Sequence, residues 1–500
     1  MPRFKEMPME PDQLILIPKS LEETLPKDSD VRVFKDIMQH LDCSDILPKG
    51  ADTGCPAYPP FVMLCVIVYA YSKGVFSSRK IEECLKVDIR FMYLAGGLRP
   101  DHNTISRFLK ANNETIEMLF KKTVRLSMEL GLVLLKSISI DGSKILANAS
   151  KKSIYNKERL DKELQKVEEI LAKAQQIDSE EDHIYGKGKN GNEKLPDADA
   201  VKEKLEKLAN ELENNSCTNV VSTDLDSRVM KTRNHGKAPA YNLQVAVDSE
   251  NQIMLAIKLT NRETDTGFFP EMLEHVEDNT GFKPDLSLAD SGYYDEKSLI
   301  WAQESGHDVL MPVLENPKEL KRTDLFASKC FLHDRERDVY ICPAGKELKY
   351  QKIHKSTSST YRQYVASECR DCSFRSECFS ANQANKCINV SVIDHIRSNM
   401  RERLQSPEGK AQYRLRQQTV EPVFGQMKRN RMFMRLKLNG TRGASVQTAL
   451  MCIVHNITKC MTSAHVREYL AKMQLKMRYI CAFFIGRLLF RTKLLLQHSF

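Results

Sequence analysis

Asp141, Asp290 and Glu421 are acids whose settings suit the handling of phosphate. Asp141 stands in LLKSISIDGSKI, a β-branched run closing on a short acid and a glycine, and Asp290 closes DLSLAD. Both read as the ends of buried strands. Glu421 is the lone acid between residues 414 and 442, amid Arg414, Arg416, Lys428, Arg429, Arg431, Arg435, Lys437 and Arg442. Transfer of a phosphodiester needs an activated oxygen nucleophile, a stabilised leaving oxygen and neutralised phosphoryl charge; two Mg²⁺ ions about 4 Å apart can meet all three needs. Hard cations want carboxylates, and strand ends hold them on a rigid frame at an open edge. The alternatives are turn acids bonded to local amides for the aspartates and a solvated amphipathic helix for Glu421.

Lys428 follows Glu421 by two ideal helical turns, so a metal-binding acid would be followed on nearly the same face by a phosphate-binding cation. Arg416 lies about 140° round an ideal helix from Glu421. Arg429 and Arg431 extend the basic stretch for DNA backbone contacts. A second group is made of thiols: Cys342, Cys369, Cys372 and Cys378, within YICPAGKELKY and SECRDCSFRSECF. A C-x2-C pair with two flanking cysteines suits tetrahedral structural Zn²⁺, with Cys330 and Cys387 as possible substitutes. Reduced, unliganded thiols are the alternative, since the spacing is not that of a two-knuckle ribbon.

The elements that must position these residues follow from the patterning. Residues 1–130 read as an all-α domain with room for a helix-turn-helix, whose Arg107, Arg79 and Lys80 either contact DNA or are wet surface. Residues 131–313 give strand, charged helical insertion (155–215), two strands, helix, strand, helix, strand, the order of an α/β core with a mixed sheet flanked by helices. A cysteine-rich insertion (314–395), the last part of the core with the glutamate helix (396–465) and an apolar basic tail (466–500) complete the expected division. The chain has 500 residues, 41% hydrophobic content and a net charge of +9, which excludes wholesale disorder and favours an anionic partner. Fourteen cysteines without a secretory leader point to a reducing, cytoplasmic setting. The run FVMLCVIVYAY is too short for a membrane span and the tail is broken by cations, so no membrane partner is expected.

IDGSKI, LADSGYYDEKSL and VEPVFGQMKRN, together with PPFVMLCVIVYAYSKGVFSSRKIEE and RPDHNTISRF, resemble the motifs of bacterial insertion-sequence DDE transposases, most closely insertion sequence family 1182. The resemblance covers most of residues 30–460. It implies a ribonuclease H-like core, Mg²⁺ or Mn²⁺ as cofactor, double-stranded DNA of transposon ends and target as substrate, and at least a homodimer in the active complex. It makes Asp141, Asp290 and Glu421 the metal ligands and Lys428 a phosphate contact. The related signature has arginine four residues before the glutamate, where this chain has Gln417, which leaves the role of Arg416 open. In VMKTRNHGKAPAYNLQVAVD, the residues His235, Tyr241, Asn242 and Gln244 would line the groove or serve structural roles. An inactive element product that still binds DNA, or a ribonuclease H-like nuclease that cuts without joining, are the competing functions.

Overall fold

The computed structural model describes residues 20–468 apart from 42, 46–56, 186–197, 215–217, 314–329, 335, 356–359, 379–383, 392, 465 and 467. The tail expected at 466–500 and residues 186–197 of the expected helical insertion therefore lie almost wholly outside the described residues.

Among the described residues the first part of the chain holds seven helices: α1 (Leu21–Thr24), α2 (Asp30–His40), α3 (Pro60–Ser72), α4 (Ser78–Val87), α5 (Ile89–Ala95), α6 (His102–Ala111) and α7 (Asn113–Glu129). Met63 to Tyr71 of α3 are all buried, as an all-round apolar helix must be. Asp101 caps α6, accepting the Thr104 N–H at 2.7 Å.

The first sheet is built from β1 (Ile138–Leu146), then, beyond the two-stranded ribbon of β2 (Ile154–Tyr155) and β3 (Val220–Val221), β4 (Arg228–Thr232), β5 (Gly236–Asp248), β6 (Met254–Thr260), β7 (Ser287–Ala289) and β8 (Val309–Leu310). Its order is β6-β5-β1-β7-β8, and β4 shares with β6 the outer flank of β5. β5 runs antiparallel to β1 and β6, whereas β1, β7 and β8 run parallel. The sheet is thus mixed, with α10 (Phe269–Thr280) and α11 (Glu296–Glu304) in the expected places. Between β2 and β3 stand α8 (Lys157–Tyr185) and α9 (Ala198–Asn214), which share a small cluster of their own around Leu160, Leu205 and Leu208.

One expectation is corrected here. Asp141 is not at the end of its strand but fourth of nine residues, because β5 keeps β1 extended, pairing Asp141 with Val245 and continuing to Leu146 opposite Ala240. On its other side β1 outruns its neighbour: β7 pairs only with Ile138 to Ile140. Asp141 is therefore the first residue of β1 with that flank open.

The cysteine-rich region holds a second, wholly antiparallel sheet, β13-β12-β11-β10-β9. Its strands are β9 (Leu332–Asp334), β10 (Val339–Ile341), β11 (Glu347–Lys355), β12 (Thr360–Ala366) and β13 (Cys387–Ser391), with the one-turn α12 (Arg375–Cys378) between the last two. The chain then returns to the first sheet through α13 (Asp394–Gln405), α14 (Pro407–Gly425), a π-helical turn (Gln426–Asn430) and α15 (Gly440–Thr462). Asn456 of α15 bonds both the N–H and the C=O of Met254 at 2.9 Å, tying this helix to the edge strand β6. No helix among the described residues is long and apolar enough to cross a membrane.

Candidate active site

Asp290 follows β7 directly and Asp141 lies beside the end of β7, so the parallel pairing of two strands brings the two acids to one place. Both are also turn acids: Asp141 Oδ1 accepts the Gly142 N–H at 2.9 Å and Asp290 Oδ1 the Gly292 N–H at 2.7 Å. What joins them is Arg416 of α14. Its Nη2 stands 3.2 Å from Asp141 Oδ1 and 3.4 Å from Asp290 Oδ2, and the side chain is only 11% exposed. Burial pushes the Asp141 carboxyl up to about 6, Arg416 opposes the rise, and the charges of Asp290 and Asp265 add to it.

Glu421 is exposed on α14 and, among the described residues, makes no hydrogen bond or ion pair with either aspartate. The helix explains this. Thr419, Val420 and Val423 are its buried stripe, and with Arg416 turned to the aspartates, a residue five places on points well to the side. Nor does Lys428 run straight on from Glu421, because the π turn from Gln426 breaks the ideal α spacing. Its Nζ clasps β1, donating to Ser143 Oγ at 2.6 Å and to the Lys144 carbonyl at 2.7 Å. Burial, and to a lesser extent Lys144, lower this ammonium to about 8.

The other cations separate by setting. Arg429 and Arg107 are exposed, whereas burial draws the Arg431 guanidinium down from its ordinary value and leaves its Nη1 without a partner. Of the groove candidates, His235 is exposed, and buried Tyr241 donates to Asp224 Oδ1 at 2.8 Å. Asn242 and Gln244 both turn to Asp265, an acid the sequence reading passed over. Asn242 Nδ2 and Gln244 Nε2 donate to Asp265 Oδ1 at 2.7 and 2.6 Å. The signal that could have found it is an acid in RETDTG soon after a strand, the rule that picked out Asp290.

Among the described residues no group of three or more His, Cys, Asp or Glu side chains is drawn together tightly enough to hold a metal ion. The donor chemistry around Asp141 and Asp290 nevertheless fits a hard cation. Two carboxylates with a third nearby share one guanidinium, whose buried Nε has no partner of its own. At the second sheet, Cys369 is buried and Cys342, Cys372 and Cys378 are half-buried. Cys342, Cys369 and Cys372 lie near enough for their charges to raise the Cys378 thiol, behind the larger effect of its burial. Backbone N–H groups of Lys346 and Lys386 point at the sulfurs of Cys342 and Cys369 at 3.3 and 3.4 Å. Cys330 is exposed, and Cys387 lies on β13.

Residues 341–461 match the family described as Transposase DDE domain, and residues 19–111 match that described as Transposase domain (DUF772). Both matches are to transposase domains, and together they support a DDE transposase of an insertion sequence. Among curated proteins nothing matches the chain. The two matches take in Cys342, Cys369, Cys372 and Cys378, Arg416, Glu421 and Lys428, and, in the helical part, Arg79, Lys80 and Arg107. Asp141 and Asp290 lie outside both, so their place in the site rests on the geometry above. The DDE domain implies a ribonuclease H-like fold and DNA as substrate, and the mixed sheet flanked by helices agrees with that fold.

Proposed function

We propose that the transposase binds the terminal inverted repeats of its element and performs metal-dependent cleavage and strand transfer with Asp141, Asp290 and Glu421, using Mg²⁺ or Mn²⁺. The observation that carries this reading is the meeting of Asp141 and Asp290 at the end of β7 around a single buried cation, Arg416. Asp141 and Asp290 would hold the metal; bound there, two ions supply nucleophile activation and charge neutralisation at the phosphodiester. Glu421 is exposed on the same helix as Arg416, and in this reading it completes the acidic set. Arg416 holds the two carboxylates together while no cation is present and would give up these contacts as one binds. Lys428 fixes α14 to β1 and, with exposed Arg429 and Arg107, supplies positive charge for phosphates, which positions DNA without reading its sequence.

In the same reading the cysteines hold structural Zn²⁺, the active complex contains at least two copies of the chain, and the protein works in the bacterial cytoplasm on nucleoid DNA. The N-terminal match accords with insertion sequence family 1182. The test is a labelled duplex carrying the element's terminal repeats, incubated with the full chain and Mg²⁺ or Mn²⁺. Cleaved ends with a 3′ hydroxyl and joined products are expected. Cutting of any duplex without joining would assign a nuclease instead, and binding without cutting an inactive element product.

A further inference from the structure

We propose that Met432 is an apolar wedge of the transposase: it enters the duplex of the element's end between two base pairs and unstacks them. The inference rests on the reading of the chain as a protein that binds the ends of its element.

Met432 stands in the loop between the π-helical turn and α15, and its side chain is 80% exposed, more than any other large apolar side chain among the described residues. Its backbone is left-handed, with φ at 54°, a conformation that costs any residue with a Cβ. Three other non-glycine residues share it, and in each the side chain has a place in the fold. Leu135 is buried, Gln252 accepts from Lys459 at 2.8 Å, and Asp338 accepts the Tyr364 hydroxyl at 2.8 Å. Met432 alone of the four carries an apolar side chain into the open, so burial does not offset its strain. Strain of this kind persists only where the surroundings impose it.

The anchoring on both sides imposes it here. Arg431 N–H donates to the Gln426 carbonyl and Phe433 N–H to the Met427 carbonyl, each at 3.1 Å. The Phe433 ring is buried against Phe76, with 5.5 Å between centroids. Leu146, the last residue of β1, donates to the Met434 carbonyl at 3.2 Å and accepts the Leu436 N–H at 2.9 Å. Arg435 Nη1 donates to the carbonyls of Ala147 and Ala149. A fixed frame thus presents an unbranched, polarisable tip, a side chain that can slide between stacked bases.

The charge around the tip selects DNA as its occupant. Arg429, Asn430, Met434, Arg435 and Lys437 are exposed, and the sequence has no acid between Glu421 and Glu468. These cations would take the phosphates flanking the step that Met432 opens. Leu146 lies five residues along β1 from Asp141, about 17 Å of extended strand, or about five base-pair steps of duplex. The wedge therefore acts on the same stretch of DNA as the candidate site.

The test uses terminal-repeat duplexes with 2-aminopurine at one position each on either side of the cleaved bond, mixed with the full chain without Mg²⁺ or Mn²⁺ so that nothing is cut. Native chain, Met432→Gly and Met432→Leu are compared, with thermal melting and end affinity of each. Glycine suits the left-handed backbone and removes only an exposed side chain, so Met432→Gly should melt no lower than the native chain. Native chain and Met432→Leu should raise the fluorescence several-fold at one step, and Met432→Gly should lose that rise and bind the ends more weakly. A native chain that binds the ends and raises the fluorescence nowhere, or a rise that Met432→Gly keeps, would overturn the wedge and leave the DNA reading standing. A native chain that does not bind the ends would overturn that reading, and this inference with it. Loss of a dimer in Met432→Gly without DNA would overturn the wedge by assigning the tip to a second copy of the chain.

Discussion

The two sheets of the transposase are alike in strand number, six against five, and unlike in what holds them. The sheet carrying Asp141 belongs to one large connected core that draws on residues from Leu25 to Val466, apart from the helical insertion and the second sheet, so its backbone is fixed by packing on many sides. Among the described residues, the cysteine-bearing sheet has a buried cluster of six: Phe331, Leu348, Tyr364, Ala366, Cys369 and Ile388. A unit so small gains from a covalent or metal staple. In the large core, cations such as Arg431 can keep a buried nitrogen without a partner, because apolar burial carries the fold. In the second sheet, the polar groups must themselves contribute to stability.

The largest effect should come from breaking the first arrangement. Asp141→Asn should reduce strand joining by about 10³-fold or more, and the double variant with Asp290→Asn should be little worse, because residues that act as one unit are not additive. A double variant much worse than either single would separate their roles. Next is the staple. Cys369→Ser should lower bound zinc from about one per chain and expose residues 331–391 to protease, while the first sheet and its helices stay resistant. Equal protection in native and variant chains would mean that this sheet stands on packing alone.

The contrast also shows what a sequence discloses. Asp290 was legible because an acid after a short apolar run marks a strand end. Asp141 was legible as an acid but misplaced, since the length of β1 is set by pairing with residues about a hundred positions away. The contact of Arg416 and the solvent-facing direction of Glu421 depend on which stripe of α14 is buried, and Val420 and Val423 alone do not announce it. Asp265 acquires its partners only when β5 folds against β1 and places Asn242 and Gln244 under it. In the second sheet the cysteine spacing was plain, yet strands as short as Leu332–Asp334 carry too little period to be read.

A smaller effect should follow from Lys428. With the ammonium lowered to about 8, its charge is present below that pH and lost as pH rises through it. Binding of end DNA should therefore weaken from pH 7 to 9 in the native chain, and less so in Lys428→Arg, whose guanidinium does not deprotonate in this range. Parallel pH profiles would remove Lys428 from the phosphate contacts. The smallest effect belongs to the helical part. Lys86, with help from His102, lowers Glu82 from 4.5 to about 2. A carboxyl held low adds stability above the unfolded value that disappears as pH falls through the folded one. Native and Glu82→Gln chains should thus differ in melting temperature near pH 6 and converge between about pH 4.5 and 2; a constant difference would assign the effect to packing.

The most direct test of the central claim is strand joining by Asp290→Asn on a duplex with the element's own terminal repeats, with DNA binding measured in the same samples. The account predicts that joining is lost while end binding persists, because the substitution removes a metal-holding carboxylate and leaves the DNA-facing cations in place. Joining within a few-fold of the native rate would contradict it.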